Sequence, residues 1–286
     1  MKNWKTKSFS ILLILVLFVG CDKSDDTTEN TNALVLPPFE SMIMDLDVFQ
    51  DNSGTNKSTD LFIANKEPNG NWFFSKIVVG VWNVAVFNTL AIPVSAFRFA
   101  FDNKPDNIGD NTWQWSYDVD GFTSQYTARL TGEVTGEEVL WKMYITKDGI
   151  EGFDEFLWFS GSSAMDGNSG NWLLNESPEK PEAILKIEWQ RETEEVGKIK
   201  YTWVRVLDEE EKEDKFKDST LEYGLQEGSL DAYINAYIYD ANLMDYSDVR
   251  IEWSRETYEG RVRSFNYFEN EDWHCWNNQG EDISCE

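Results

Sequence analysis

The sequence predicts a mainly β protein. It is expected to form one large antiparallel up-and-down meander or barrel, with one apolar helical segment buried against it near the N-terminus. Two observations carry this expectation. From about residue 112 onward, apolar residues alternate with polar ones, and short polar turn signals break the alternation. Ahead of that region stands an apolar run of about 25 residues, too long for a single strand.

The strands come first. In "FTSQYTARL", Phe122, Ser124, Tyr126, Ala128 and Leu130 share one face, opposite Thr123, Gln125, Thr127 and Arg129. "EEVLWKMYIT" puts Val139, Trp141, Met143 and Ile145 together, and "AILKIEWQRE" sets Leu185, Ile187 and Trp189 against Lys186, Glu188 and Gln190. "KIKYTWVRV" groups Ile199, Tyr201 and Trp203. "SLDAYINAYIYD" groups Leu230, Ala232, Ile234, Ala236 and Ile238 against Tyr233, Tyr237 and Tyr239. A period of two with one apolar face marks a half-buried strand. The links "VDG", "TGE", "KDG", "DGNSGN", "EVG" and "YEG" carry the Gly, Asp and Asn of hairpin turns. No long helix separates the strands, so parallel crossovers are excluded. Ten to twelve antiparallel strands are expected. That many should curl or close to manage their edges, giving a form calycin-like in outline. A membrane barrel would alternate too, but the dense charge of "DEEEKEDKFKD" speaks against it.

The helix lies at about 75–101, "SKIVVGVWNVAVFNTLAIPVSAFRFAF", with Pro93 ending or kinking it. Asn83, Asn88 and Arg98 argue against a membrane span. A helix apolar nearly all round must be buried, here capping or plugging the barrel or filling the groove of an open sheet. Before it, "ESMIMDLDVF" alternates Met42, Met44, Leu46 and Val48 and reads as a strand, and "QDNSGTNKSTD" reads as a loop.

One short phrase occurs twice. "KIEWQRET" at 186–193 returns as "RIEWSRET" at 250–257, 64 residues on. Each copy reads as a strand entering a turn, with Ile and Trp inward and the first Glu (Glu188 or Glu252) outward. Gly197 or Gly260 then supplies the positive φ of the reversal. A fainter third hairpin carries Gly136, and the three glycines fall 61 and 63 residues apart. Local pattern and turn chemistry account for the letters of the repeat. A functional role for it requires both copies to open onto the same exposed rim.

The first thirty residues give an address. Lys2, Lys5 and Lys7 precede an apolar run from Ile11 to Val19, the plan of a secretory signal over residues 1–20. "LFVGC" then resembles the lipobox of bacterial lipoproteins, although Phe18 departs from the smaller residue usual at its position. The resemblance implies cleavage before Cys21 and a lipid on that cysteine. "DKSDDTTENTN" follows as part of an acidic, polar tether over 21–36 that has nothing to bury. Its "KSDD" resembles the export signal of Bacteroidota (flavobacterial-type) surface lipoproteins. The implied location is the outer membrane, with the chain lipid-anchored and exposed at the cell surface. Residues 37–286 would form a single β-rich domain.

With Cys21 assigned to the lipid, Cys275 and Cys285 remain as an even pair in an oxidising compartment and are expected to form a disulfide. The net charge of −27 argues against nucleic acid and against basic docking on anionic lipid. No catalytic set emerges. The one histidine, His274, stands between Trp273 and Cys275, and no G-x-S-x-G elbow, Walker loop or dinucleotide fingerprint is present. "SGSSAMDG" reads as a turn-rich loop, the acidic run 208–214 as a solvated hairpin loop, and "DGNSGN" as turn chemistry rather than a Ca²⁺ loop. No metal or cofactor is expected. Trp113 and Trp115 on one strand, and Tyr233 and Tyr237 on another, are the candidate ligand-stacking aromatics. The expected function is that of a non-enzymatic anchored binding or accessory module engaging a glycan, a small apolar ligand or an envelope protein. The alternatives are a polysaccharide hydrolase using paired carboxylates, and a structural subunit of an outer-membrane complex.

Overall fold

The computed structural model describes residues 34–44, 46, 49, 70–120, 125–192, 195–208, 210–240 and 243–285, without the side chains of 81, 83–89 and 120. Cys21, where a lipid is expected, the expected signal before it, most of the expected tether and the expected loop at 50–60 lie outside the described residues.

Mainly β is what the structure shows, as one antiparallel meander of fourteen strands whose spatial order is the chain order. The strands are β1 (Asp106–Gly109), β2 (Thr112–Asp120), β3 (Gln125–Thr135), β4 (Glu138–Lys147), β5 (Phe153–Ala164), β6 (Ser169–Asn175) and β7 (Ala183–Glu192). They continue with β8 (Glu195–Trp203), β9 (Thr220–Leu225), β10 (Ala232–Asp240), β11 (Asp245–Trp253), β12 (Gly260–Arg263), β13 (His274–Trp276) and β14 (Asp282–Ile283). The strands beyond the expected ten to twelve include β1, β12, β13 and β14, each four residues or fewer and too short for alternation to register. The sheet is not closed into a barrel: among the described residues β1 pairs only with β2, and β14 only with β13.

Helix α1 (Asn71–Ala100) explains why closure is not needed. It touches β2 and β3 near one end of the sheet and β12 and β13 near the other, so the sheet curls around it. Its first turn is held by β13 and β14. The Asn71 amide donates to Asp282 Oδ1 at 2.7 Å, and Asn71 Nδ2 donates to the Cys275 carbonyl at 2.9 Å. Its last turns sit among Phe159 and Trp172, and Tyr117 donates its hydroxyl to the Ala96 carbonyl at 2.6 Å. Pro93 does not end the helix, which runs seven residues past it; the ring is itself buried. Tertiary burial of an apolar helix overrides local propensity.

The segment expected as a strand at 40–49 is not one over its described residues. Phe39–Met42 forms a 3-10 turn, and no described residue of the segment pairs into the sheet. Its alternation reflects burial instead: Met42, Met44 and Leu46 face the core while the backbone crosses the strands. Trp172 Nε1 donates to Ser41 Oγ at 3.0 Å. The Tyr201 hydroxyl donates to the Met42 carbonyl at 2.7 Å and accepts from the Met44 amide at 3.2 Å. Farther along, Phe49 meets Trp253 edge-on. This segment and α1 together line the inner face of the sheet, which is filled by the protein's own side chains. Burial pushes the Tyr201 phenol well up, against the opposing bond from the Met44 amide.

Glycines opposite tryptophans let that face pack. Gly132, Gly161, Gly170 and Gly260 stand directly across from Trp141, Trp172, Trp189 and Trp276. A β-carbon at any of them would come within 2.2–2.8 Å of the facing indole. Each indole therefore lies over bare backbone, the pairing known as aromatic rescue of a strand glycine. This corrects the reading of the repeat. Gly136 has the expected positive φ of +66°, but Gly197 and Gly260 lie inside strands without it, and Gly260 makes room for a ring instead. It also corrects the turn reading of "SGSSAMDG". Residues 160–164 belong to β5, where Ser163 Oγ accepts from Trp141 Nε1 at 2.9 Å and Gly161 seats Trp172.

Candidate functional site

The four candidate stacking aromatics divide sharply. Trp115 is only 2 % exposed and packs beside Trp141, so its ring is core and unavailable to a ligand. Trp113, on the same inward face, is half-buried against that core. The alternation that suggested a surface platform instead marks the buried side of β2.

Tyr233 and Tyr237 do lie on the outer face. Tyr233 is occupied by its neighbours: its ring covers Gly224 directly across the strand pair, and the Arg250 guanidinium stands 4.0 Å from its centroid. Its hydroxyl donates to Glu222 Oε1 at 3.1 Å, and burial and that carboxylate push its pKa up. Tyr237 differs. It is 38 % exposed and stacks parallel on Tyr246, with centroids 4.7 Å apart and 5° between planes. Tyr239 meets Tyr246 edge-on, and Phe216 meets Tyr239 in the same way. Tyr246 is fixed by donating its hydroxyl to the Lys217 carbonyl at 2.6 Å. The result is a rigid aromatic platform at one end of β10 and β11. Asp248 stands directly across from Tyr237, and burial, then the charge of Asp218, pushes the Tyr246 phenol up.

The loop beneath this platform is held by a group that sequence reasoning missed. Asp214, within the run read as solvated, has a side chain only 2 % exposed. It accepts from Trp203 Nε1 at 3.0 Å, Arg205 Nε at 2.6 Å and the Phe216 amide at 2.9 Å. Burial works to raise its pKa. The three donors outweigh burial and leave the carboxyl below the usual range. Arg205 also reaches Glu176 at 2.9 Å, so one arginine ties loop 204–219 to loop 176–182. The missed signal was the "VRV" just ahead of the acidic stretch, which places a positive charge at Arg205 within reach of it.

Both copies of the repeat open on the opposite rim. The β7–β8 and β11–β12 turns share one end of the sheet, because β7 and β11 run in the same direction. The second copy's Arg255 contacts the first copy's hairpin at Glu195, 3.1 Å away, and binds Asp231 through its amide and Nε at 2.8 and 3.0 Å. Arg255 thus stitches three turns together, a structural use of the repeat.

Cys275 and Cys285 form the expected disulfide, which holds the chain's last described residues against β13. His274 stacks on Phe268 at 3.7 Å, with Nε2 3.2 Å from Asn270 Oδ1. Among the described residues no group of three or more His, Cys, Asp or Glu side chains is arranged to hold a metal ion. Comparison with known protein families, curated protein sequences and solved structures finds no match for this chain.

Proposed function

We propose that this chain is a lipid-anchored, non-enzymatic module of the outer membrane surface that binds a neutral glycan on its Tyr237 platform. The supporting observation is the exposed Tyr237 ring, stacked on a fixed Tyr246 and bordered by carboxylates. A flat aromatic face takes the C–H side of a sugar ring, and carboxylates accept hydrogen bonds from its hydroxyls. A net charge of −27 repels anionic polymers and favours neutral ones. The filled inner face leaves recognition to the exterior. The anchor rests on Cys21 in "LFVGC" and on the acidic tether after it.

Two measurements test this reading. In affinity electrophoresis through gels carrying neutral polysaccharides, the protein should be retarded and Tyr237→Ala should run freely. Equal retardation of the variant, or no retardation in any neutral gel, rejects the glycan reading. Cys21→Ala should move the protein from the membrane to the soluble fraction, and persistence in the membrane rejects the anchor.

A further inference from the structure

A second site lies on β5, in a place the glycan reading does not use. The strand is irregular over its first half. Its register with β4 slips between Phe159 and Leu157 and again between Phe156 and Phe153. Trp158 is the extra residue of the first bulge, and Glu155 adopts a left-handed φ of +48°. Bulges and left-handed non-glycine residues concentrate next to functional sites. On its other side, β5 pairs with β6 only over Phe159–Ser163, so residues 153–157 face the turn 176–182 rather than a strand. A cleft of about 480 Å³ opens there, lined by Phe153, Phe156, Leu157, Pro178 and Pro181, with Asp154 and Glu155 at its edge.

The lining has two parts. The floor is apolar: Phe153 and Phe156 pack edge-on against each other and both rest on Trp158, at 5.8 and 5.2 Å. The Trp158 indole N–H is buried and has no hydrogen-bond partner among the described residues, a costly group to leave so. The edge is anionic. Glu155 is neutralised by Arg129, which chelates it through Nε and a second nitrogen. Among the described residues, Asp154 accepts only the Thr146 hydroxyl, at 3.2 Å, and no Lys or Arg pairs with it. The two bulges turn the strand edge away from simple strand addition. Recognition therefore falls to side chains.

We propose that this cleft binds a short segment of a partner protein that carries an aromatic or aliphatic side chain beside a lysine or arginine. The apolar residue fills the Phe153–Phe156–Pro178–Pro181 floor, and the cation pairs with Asp154. Residues 153–157 span up to about 13 Å, four steps at strand rise, which suits a segment of about four residues better than a small amine. The strongly acidic chain attracts such a partner.

The test uses the full chain and ligand-observed NMR with three probes: a blocked Phe-Lys-Phe-Lys peptide, the same peptide with Glu for Lys, and phenethylamine. The Lys peptide should bind, weaken with added salt, and bind at least tenfold tighter than phenethylamine; the Glu peptide should not bind. Asp154→Asn, which keeps an acceptor for Thr146, should weaken the Lys peptide about tenfold, the scale of one charge-assisted contact. Phe156→Ala should abolish binding, and Tyr237→Ala should leave it unchanged, separating this site from the glycan platform. Equal binding of the Lys and Glu peptides, equal affinity for phenethylamine, insensitivity to Asp154→Asn, or no binding of the Lys peptide overturns the proposal.

Discussion

"KIEWQRET" and "RIEWSRET" share six of eight letters, yet they make different chemistry of the same glutamate. In the first copy the Glu188 side chain is 48 % exposed and pairs with Lys186 at 2.8 Å. In the second, Glu252 is 9 % exposed and held between Arg250 and Arg261. Those arginines are themselves covered by rings, Arg250 by Tyr233 and Arg261 by Trp273, each within about 4 Å of the centroid. The difference comes from the neighbours. The strand after copy one offers Lys200 opposite Glu188, whereas the strand after copy two offers Arg261 opposite Glu252 and β13 beyond it. Arginine's planar fork stacks on rings and chelates carboxylates in ways that lysine does not. Identical local patterns thus give a solvated pair in one copy and a buried network in the other.

The sharpest way to break this comparison is to neutralise each glutamate. Glu252→Gln leaves two arginines short of a buried partner and should cost about 3 kcal/mol, read from the urea midpoint. Glu188→Gln should cost about 0.5 kcal/mol or less. Equal losses would show that the burial difference carries no energy. The glycines give a smaller contrast. A β-carbon on Gly260 meets the Trp276 indole at 2.2 Å and the Glu252 carbonyl at 2.6 Å, so Gly260→Ala should destabilise by about 2 kcal/mol. At Gly197 the nearest obstacle to the added carbon is not backbone but the Glu192 side chain, from its Cβ at 2.6 Å outward, at a hairpin end, and Gly197→Ala should cost about 1 kcal/mol by the same urea midpoint.

The smallest effect concerns the stitch between the copies. Burial works to raise the Asp231 pKa, but the amide and guanidinium of Arg255 outweigh it and leave the carboxyl below its usual range. A depressed carboxylate stabilises the fold fully above its unfolded pKa of about 4, and that stability is lost as pH falls through the lower folded value. Asp231→Asn should therefore flatten the acid limb of a stability–pH curve below about pH 4 while leaving the slope near neutrality unchanged. An unaltered acid limb would mean that Arg255 does not link the turns energetically.

Most of the strand order was legible because period two and turn residues are local. Val139, Trp141, Met143 and Ile145 face the core as their alternation said. The helix was legible from its length, though its start at Asn71 was not. What escaped was non-local. That Met42 and Met44 belong to a segment crossing the strands depends on Tyr201, more than 150 residues away. That Trp115 is core, with Trp113 packed half-buried against it, while Tyr237 is surface depends on which face α1 covers, which alternation alone does not tell. Asp214 looked like its acidic neighbours until Trp203 and Arg205 were seen to surround it. The β5 irregularity did leave a trace: four consecutive apolar residues, Phe156 to Phe159, interrupt the alternation where the bulge occurs.

The hold of β13 and β14 on Asn71 also has a kinetic side. The hairpins of the meander are local and can each form beside the one before. The first turn of α1 is fixed by Asp282 and Cys275, 211 and 204 positions later. Contacts of such separation form late, because closing a long loop is entropically slow. In a chain made from its N-terminus, the helix exists long before its final anchor. Completion of the fold waits on β13 and β14, and until they arrive a long apolar helix is open to capture by whatever meets it first.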